Sequence, residues 1–336
     1  MKGRHIVSVT SRKSRYHLEI ERKISVLKGN SGTGKSSLIR LISEYLEYGK
    51  QSGVKVFVDS SATLAVLNNS SDWYEILSAL HDTILFIDED VRYLYSESFQ
   101  RELWKADCYA IIVSRSGMFT ALPYSIFGVY EFVTERKNIN AVTTMYRLYE
   151  DKHENSAFDL ILTEDSNSGY EMARYAFEAE GTEVTSTDGN TSVLSTLQKL
   201  NHAYRHICVN VDGAAFGAFI EPVLKFAEMR GDIWISAPES FEYVLLNISE
   251  INRHLSQNQG ELTKTFDYCD SSMYGSWEQY YEDLLKQVTA EHFDFTYNKR
   301  RLNPWFLNRK CGAQFVDILL KSFVTRRLDL DDKNQK

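Results

Sequence analysis

Short apolar runs alternate with stretches that have apolar residues at helical spacing along most of the chain. In the first 150 residues, the runs typical of strands are 5–10, 16–21, 24–28, 54–59, 83–87 and 108–114, and the stretches typical of helices are 35–48, 72–80 and 97–105. Two further runs, 126–134 and 142–149, alternate between apolar and polar residues, which predicts strands at a half-exposed sheet edge. Strands that alternate with helices favour a mainly parallel sheet with helices on both faces.

A second series of the same kind follows the polar stretch 151–156, which is the predicted domain boundary. Its predicted strands are 159–163, 183–187, 207–211 and 232–236, and its predicted helices are 170–179, 192–200 and 218–229. From residue 239 the pattern is helical and then irregular, with helices at 277–287 and 313–323. We therefore predict an α/β protein with a first domain over 1–150, a smaller parallel-sheet domain over 157–250 and a helical or irregular C-terminal extension over 251–330.

Composition supports a folded chain of two domains. The chain has 336 residues, of which 43% are hydrophobic and 25% are charged, and these values are typical of globular proteins. It contains no apolar window of about 18 residues and no apolar segment at its start, so we expect neither a membrane span nor secretion. Its four cysteines are scattered without metal-binding spacing. These features predict a cytoplasmic protein.

Charge is distributed unevenly along the chain, although the net charge is −8. Residues 1–50 contain eleven Lys and Arg against four Glu, whereas residues 151–260 contain seventeen Asp and Glu against seven Lys and Arg. A basic N-terminal region is suited to phosphate groups. The acidic middle region repels a phosphate backbone unless metal ions intervene.

A glycine-rich segment between the predicted strand 24–28 and the predicted helix 35–48 provides the strongest motif. It reads Gly29-Asn-Ser-Gly-Thr-Gly-Lys-Ser and matches G-x-x-x-x-G-K-[ST]. Such a loop wraps a β-phosphate with backbone N–H groups, and the following helix adds the positive potential of its N-terminus. Lys35 is expected to reach the β- and γ-phosphates, and the Ser36 hydroxyl to bind Mg²⁺. The predicted nucleotide-binding residues are Gly29, Asn30, Ser31, Gly32, Thr33, Gly34, Lys35, Ser36 and Ser37.

The predicted strand 83–87 ends in the acidic residues Asp88 and Glu89. An apolar run that ends in an acid is the partner motif of a phosphate-binding loop. Asp88 is predicted to hold Mg²⁺, and Glu89 to polarise the attacking water. The strand 108–114 ends in Ser114 and Arg115 at the same edge, where either residue is placed to sense the γ-phosphate. Lys35, Glu89 and Arg115 are the predicted catalytic residues.

The strand pair within residues 5–21, the glycine-rich loop and the Asp-Glu ending together resemble ABC-type and SMC-type ATPase heads over residues 1–150. The resemblance implies a P-loop NTPase domain that binds ATP with Mg²⁺ and hydrolyses it. A nucleotide kinase is the other class with such a loop. The acidic residue next to Asp88 and the absence of an Arg-rich lid segment favour the ATPase.

In the second half of the chain, acidic residues follow three of the predicted strands. Glu164 follows the first strand, Asp212 the third, and Glu239 and Glu242 the fourth. The carboxyl ends of parallel strands meet at one edge of a sheet, where ligands bind. The sequence therefore predicts that Glu164, Asp212 and either Glu239 or Glu242 gather around Mg²⁺.

This half resembles a TOPRIM domain, the metal-binding module of primases, topoisomerases and OLD-family nucleases, over residues 157–250. The positions of the family motif are taken by Glu164, Gly189, Asp212 and the Pro-Glu-Ser-Phe-Glu segment of 238–242. Ala214 stands where the family has a second Asp. The resemblance implies a Rossmann-like sheet and metal-dependent action on nucleic acid. A response-regulator receiver domain is the alternative resemblance, with Asp212 as the phosphoacceptor and Ser236 as its hydroxyl partner.

A P-loop ATPase fused to a TOPRIM-like domain resembles OLD-family nucleases and the paired ATPase/TOPRIM proteins of antiphage defence. The first hypothesis is an ATPase whose nucleotide state controls a TOPRIM-like domain that acts on nucleic acid, in antiphage defence or a mobile element. The second is an ATP-dependent switch or scaffold with a non-catalytic second domain that recruits a protein partner or another copy of the chain. Residues 293–306 mix aromatic residues with a basic run, which suits either a nucleic-acid contact or packing of the tail.

Overall fold

The chain forms two compact units. The computed structural model describes residues 1–29, 32–137, 140–153, 157–200, 204–255 and 260–327. Within these ranges, unit 1 comprises Met1–Tyr149, Lys264–Ser276 and Arg327, and unit 2 comprises Glu150–Thr263 and Trp277–Arg326. Each unit is therefore assembled from segments that are distant in sequence.

The segment Lys264–Ser276 belongs to unit 1 through hydrogen bonds with the start of the chain. The N–H of Gly3 donates to the Phe266 carbonyl over 2.6 Å. The ammonium of Lys23, a buried side chain, donates to the Ser271 carbonyl over 2.7 Å. A buried ammonium requires such an acceptor, so Lys23 fixes the returning segment.

Unit 1 is built on a nine-stranded sheet. Its strands are β1 His5–Thr10, β2 Ser14–Ile20, β3 Ile24–Leu27, β4 Lys55–Val58, β5 Thr63–Leu67, β6 Thr83–Ile87, β7 Cys108–Val113, β8 Val129–Lys137 and β9 Asn140–Arg147. Its helices are α1 Lys35–Tyr48, α2 Trp73–Ser78 and α3 Glu97–Lys105. The strand order is β4-β1-β2-β9-β8-β3-β7-β6-β5, and the five strands from β8 to β5 are all parallel.

The centre of this sheet is buried on both faces. Every residue of β3, β6 and β7 is buried, as continuous apolar runs in parallel strands require. The buried side of α1, which includes Leu38 and Ile42, packs into the same core. The prediction that the runs 126–134 and 142–149 lie at a sheet edge is wrong, because β8 and β9 lie between β3 and β2 in the interior of the strand order.

Unit 2 contains a six-stranded sheet and most of the helices. Its strands are β10 Tyr149–Lys152, β11 Leu160–Thr163, β12 Glu183–Ser186, β13 Ile207–Asn210, β14 Ile233–Ser236 and β15 Phe323–Arg326. Its helices are α4 Ser168–Glu178, α5 Val193–Lys199, α6 Ile220–Arg230, α7 Phe241–Asn247, α8 Ser249–Asn252, α9 Gly260–Thr263, α10 Trp277–Thr289 and α11 Arg309–Lys321. The strand order is β10-β15-β14-β13-β11-β12, in which β12, β11, β13 and β14 are parallel.

The C-terminal part of the chain contributes to the second sheet. Phe323 pairs antiparallel with Ser236 of β14, so the predicted helix 313–323 is wrong at its end: α11 stops at Lys321 and β15 begins at Phe323. The predicted α/β fold with mostly parallel sheets and a helical C-terminal part is confirmed. None of the helices in the described ranges has the length and apolar character needed to cross a bilayer.

Candidate functional site

The glycine-rich loop joins β3 to α1 at the carboxyl edge of the nine-stranded sheet. Gly34, at the start of α1, has a φ of 90°, which side-chain-bearing residues rarely adopt. Tyr16 Oη on β2 donates a hydrogen bond to the Gly34 carbonyl over 3.1 Å. A Cβ on residue 34 would lie 3.0 Å from the Tyr16 hydroxyl oxygen. Tyr16 thus fixes the end of the loop against the sheet. The predicted residues Asn30 and Ser31 lie outside the described residues.

Lys35 is held by the loop that precedes it. Its Nζ donates to the Gly29 carbonyl over 2.7 Å and to Thr33 Oγ1 over 2.9 Å. Burial lowers the pKa of Lys35, and the charges of Glu89 and Asp88 oppose that shift. The structure therefore brings Lys35 into the electrostatic field of both predicted acids.

The first turn of α1 presents polar groups to solvent. Gly34 precedes the helix and has no side chain that can cap it, so the first N–H groups receive no side-chain acceptor from that position. Ser36 and Ser37 are both exposed on this turn. The positive end of the helix dipole and two hydroxyl groups thus lie next to Lys35.

Asp88, Glu89 and Arg115 lie at the same edge of the sheet as the loop. Asp88 follows β6 directly, and its Oδ1 accepts a hydrogen bond from Glu89 N over 2.8 Å. Burial raises the pKa of Asp88. Arg115 follows β7, which lies between β3 and β6, and its Nε and Nη2 both lie 3.0 Å from Glu89 Oε1. The residue predicted to polarise the attacking water and one of the two residues predicted to sense the γ-phosphate are therefore paired with each other.

Ser114, the alternative sensor, has a different environment. Its side chain is completely buried, and its Oγ accepts a hydrogen bond from Gly117 N over 3.0 Å. The hydroxyl thus stabilises the loop after β7. Arg115, whose side chain is 67% exposed, is the better placed of the two to meet a ligand.

A second cluster of charged groups lies at the carboxyl edge of the parallel strands in unit 2. We call it the carboxylate pocket and define it by Glu164, Asp212, Glu242, Glu278 and Lys299. Its volume is about 310 Å³. The acidic residues that line it are Glu164, Asp165, Asp188, Asp212, Glu242 and Glu278, and Lys299 is the cationic residue in the lining.

Backbone contacts between adjacent loops place Asp212 in the pocket. The N–H of Asp212 donates to Glu164 Oε2 over 3.3 Å, and Asp212 Oδ1 accepts from Phe241 N over 3.1 Å. Gly213 N donates to the Pro238 carbonyl over 2.7 Å. A Cβ on Gly213 would lie 2.6 Å from the Ala237 carbonyl oxygen, so this close approach requires glycine.

Of the two acidic residues that follow β14, Glu242 lies in the pocket and Glu239 does not. Glu242 is 2% exposed, and its Oε1 accepts a hydrogen bond from Tyr297 Oη over 2.7 Å. Glu239 is absent from the pocket lining, and its carbonyl accepts a hydrogen bond from Ala214 N. Ala214 itself is 2% exposed and also absent from the lining. The side chain at 214, where the predicted TOPRIM resemblance expects a second Asp, is thus buried.

Burial raises the pKa values of two carboxyl groups in the pocket. Removal from water, with a smaller contribution from Glu278, raises the pKa of Glu164 to about 7. Asp212 has a pKa raised well above its ordinary value, first by burial and then by Glu278 and Glu164. Both shifts arise first from removal of the carboxyl groups from water and only then from the neighbouring carboxylates.

Lys299 supplies positive charge to this pocket from the C-terminal part of the chain. Its Nζ lies 3.0 Å from Glu278 Oε1, 2.9 Å from Glu282 Oε2 and 3.9 Å from Glu242 Oε1. These carboxylates raise the pKa of Lys299 despite its partial burial. Sequence analysis missed Glu278, Tyr297 and Lys299 as site residues, because nothing in the local sequence indicates that the tail reaches this edge of the sheet.

The carboxylate pocket does not fit a metal ion as it stands. Carboxylate oxygens are the ligands that Mg²⁺ prefers. However, among the described residues no three His, Cys, Asp or Glu side chains lie close enough together to hold a metal ion. The predicted set of Glu164, Asp212 and Glu242 therefore shares one pocket without forming a coordination site, and Glu239 lies outside it.

No model of a protein family matches the chain, and no curated protein matches it. The arguments for function therefore rest on the geometry of the two sites.

Proposed function

We propose that unit 1 binds ATP with Mg²⁺ and hydrolyses it. The observation that supports this most directly is the common edge of the sheet, where the loop after β3, the acids after β6 and the arginine after β7 lie side by side. Ligands of parallel α/β sheets bind at this edge. The proposal assigns unit 1 to the P-loop NTPases.

The loop and Lys35 bind the phosphates. The positive φ of Gly34 lets the chain turn into α1, and Lys35 already donates to two acceptors of the loop. Phosphate oxygens are stronger acceptors for an ammonium than a carbonyl or a hydroxyl, so they take over these hydrogen bonds. The helix N-terminus adds favourable potential for the negative charge.

Ser36 and Asp88 fit a magnesium ion that is shared with the nucleotide. A Mg²⁺ ion in such sites takes one or two protein ligands, and phosphates and water supply the others. The exposed Ser36 hydroxyl and the Asp88 carboxylate suit this role, and a larger group of carboxylates is not needed. Magnesium supplies neutralisation of charge on the β- and γ-phosphates when bound.

Glu89 and Arg115 perform the hydrolytic step. Glu89 orients and polarises the attacking water, because it follows the magnesium-binding Asp88 and lies beside Lys35. Arg115 leaves Glu89 to contact the γ-phosphate, where it stabilises negative charge that develops during transfer. Contact with the γ-phosphate thus releases the general base from its ion pair.

Unit 2 is proposed as the part that acts on nucleic acid under control of the nucleotide state. Its support is the row of acids after β11, β12 and β13, together with a neighbouring cavity of about 760 Å³ lined by Lys286, Lys299 and Arg300. Cationic side chains of this kind contact phosphate backbones. We assign no metal-dependent step, because the spacing of the carboxylates does not fit a metal ion.

A switch or scaffold with a non-catalytic second unit is the second candidate function. Two observations favour it: the interior position of Ala214 and the ion pairs that Lys299 forms within the pocket. Cleavage of plasmid or single-stranded DNA that D212N abolishes is expected for the first candidate. If the protein binds ATP but does not cleave DNA, the result favours the switch or scaffold.

Binding of a fluorescent ATP analogue tests the proposal for unit 1. K35A is expected to weaken binding by at least about a hundredfold, since it removes an ammonium from the phosphates. K50A is the matched control, because Lys50 is exposed and lies beyond the far end of α1. Equal affinities of K35A and the wild type would refute the assignment of the loop.

A further inference from the structure

Strand β4 lies at one end of the strand order in the nine-stranded sheet of unit 1, and within the described residues β1 is its only strand neighbour. Asp59 N, just after β4, donates to the Ile6 carbonyl over 3.2 Å. Because the direction of backbone hydrogen bonding alternates along a strand, the N–H and C=O groups of Val56 and Val58 point away from β1. The outer edge of β4 is therefore a template for a further strand.

Phe57, in the middle of this edge strand, is an aromatic residue that faces solvent. It pairs with Ser8 of β1 and lies on the same face of the sheet, whereas Val56 and Val58 pack against the hydrophobic core on the opposite face. Phe57 is 60% exposed. An aromatic side chain at this position is available to pack against a side chain of an added strand, and such cross-strand pairs stabilise sheets.

The residues at the two ends of this edge have opposite charges. Lys55 is exposed and forms no ion pair with a described residue. Asp59 is also exposed, and its Oδ1 accepts a hydrogen bond from Ile6 N over 2.8 Å, which holds the carboxylate at the end of the strand. A cation, an aromatic ring and an anion thus follow one another at alternate positions. This order is complementary to itself when two copies run antiparallel, because the cationic end of each meets the anionic end of the other.

We propose that two copies of the chain associate through their β4 strands, which pair antiparallel about a two-fold axis at Phe57. In this register Val56 of each copy pairs with Val58 of the other, so the outward N–H and C=O groups of both residues obtain partners. The two Phe57 rings meet at the axis, and Lys55 of each copy lies opposite Asp59 of the other. A lone lysine on an edge strand opposes pairing, but this register supplies it with a carboxylate. The inference is independent of the nucleotide site proposed above.

Sedimentation equilibrium over a series of protein concentrations tests the association. The wild type is expected to show a monomer–dimer equilibrium. F57K is expected to raise the dissociation constant at least about tenfold, because two ammonium groups would meet at the axis. Y74K is the matched control, since Tyr74 is an exposed aromatic residue on α2, and it should keep the wild-type constant. A wild type that stays monomeric at every concentration would overturn the proposal.

An exchange of charges between two copies tests the register. K55E and D59K each place like charges opposite one another at both ends of the strand pair, so each variant alone is expected to dimerise at least about tenfold more weakly than the wild type. In an equimolar mixture, opposite charges face each other at both ends, and a heterodimer of about wild-type affinity is expected. A variant weakened by misfolding would not be rescued by a second chain. Absence of rescue in the mixture would contradict the proposed pairing.

V58P tests the backbone hydrogen bonds of the strand pair. Proline has no N–H to donate, and the N–H of Val58 points away from β1, so the substitution removes a donor of the dimer and leaves the pairing of β4 with β1 in place. V58P is expected to weaken dimerisation at least about tenfold while its circular dichroism stays that of the wild type. Dimerisation that survives both V58P and F57K would overturn the proposal. Binding of the ATP analogue by the same samples reports separately on the nucleotide site.

Discussion

Arg115 and Glu89 form an ion pair across the ends of two neighbouring parallel strands, with both Nε and Nη2 of the guanidinium 3.0 Å from one carboxylate oxygen. The pair joins a residue suited to a phosphate and a residue suited to a water molecule. If unit 1 hydrolyses ATP as proposed, a γ-phosphate that draws Arg115 away leaves this Glu89 oxygen free to accept a proton from water. The ion pair would then couple binding of the γ-phosphate to release of the general base.

R115A is expected to lower the rate of ATP hydrolysis by at least about a hundredfold, because the charge that develops on the γ-phosphate loses its guanidinium. ATP affinity is expected to change much less, since Lys35 and the loop remain. Phosphate release and binding of the ATP analogue measure the two effects. R101A is the control: Arg101 is exposed and pairs with Glu97 within α3. A loss of affinity as large as the loss of rate would contradict the assigned role.

E89Q is expected to lower hydrolysis by about 10²- to 10⁴-fold, the usual contribution of a general base. The amide keeps the shape of the side chain and its ability to accept a hydrogen bond from Arg115, so nucleotide binding is expected to persist. Single-turnover phosphate release separates the chemical step from product release. Hydrolysis by E89Q at the wild-type rate would remove Glu89 from the mechanism.

Y16F tests the anchoring of the loop. The substitution removes the hydrogen bond to the Gly34 carbonyl and leaves the buried ring in place, so unit 1 is expected to lose about 0.5–1.5 kcal/mol of stability. ATP affinity is expected to fall several-fold as the loop loses its fixed conformation. Chemical denaturation and nucleotide binding measure these changes. Y48F, at an exposed position of α1, should alter neither, and an unchanged Y16F would show that the loop is fixed by other contacts.

G213A is expected to destabilise unit 2 by at least about 2 kcal/mol, because its Cβ would lie 2.6 Å from the Ala237 carbonyl oxygen and 2.8 Å from the Pro238 carbonyl oxygen. For G312A we expect the opposite change, an increase in the stability of unit 2. Gly312 lies within α11, where a Cβ would meet the Tyr175 ring at 3.4 Å, and alanine favours the helix by about 0.5–1 kcal/mol. Denaturation midpoints of the two variants should therefore move in opposite directions, and equal shifts would refute the local account of both glycines.

The ion pair of Glu250 with Lys310 makes stability depend on pH. Lys310, Ser249 and Gln314 donate to Glu250 and lower its pKa to about 2, although its own burial acts in the opposite direction. A carboxylate with a lowered pKa contributes stability above its unfolded pKa of about 4.3, and that contribution disappears as the pH falls towards 2. Because the pair is near the surface, we expect about 0.5–1 kcal/mol.

E250Q should therefore lower the free energy of unfolding at pH 7 and leave it nearly unchanged at pH 2. Urea denaturation at the two pH values measures the difference. E228Q is the control, because Glu228 is exposed on α6 and forms no ion pair with a described residue. An equal effect of E250Q at both pH values would show that lost packing, rather than charge, is responsible.

The sequence was sufficient to predict the positions of the buried strands of unit 1 and of the glycine-rich loop between β3 and α1. Strand β6 and helices α1 and α3 have the predicted limits, because continuous apolar runs and helical spacing are local signals. Strand β10 was missed, since three of its four residues are exposed and its sequence has no strand pattern. Strand β5 was also missed, although its sequence Thr-Leu-Ala-Val-Leu is mostly apolar and it has the same five-residue length as β6.

Only some of the residues of the carboxylate pocket could be predicted from the sequence. Glu164 and Asp212 follow strands of a parallel sheet, so the topology alone brings them together. Tyr297 and Lys299 come from a segment more than fifty residues beyond Glu242, and only tertiary packing brings them to the same place. A pattern along the chain contains no information about such a long-range contact.

The return of Lys264–Ser276 to unit 1 has a consequence for dissecting the protein. The chain passes between the two units four times, so a cut in any one connection leaves them covalently joined through another. A fragment that ends at Tyr149 would lack the carbonyl that accepts the Lys23 ammonium and would leave that charge buried without its acceptor. Isolating either unit therefore calls for a rejoined, discontinuous design instead of a simple truncation.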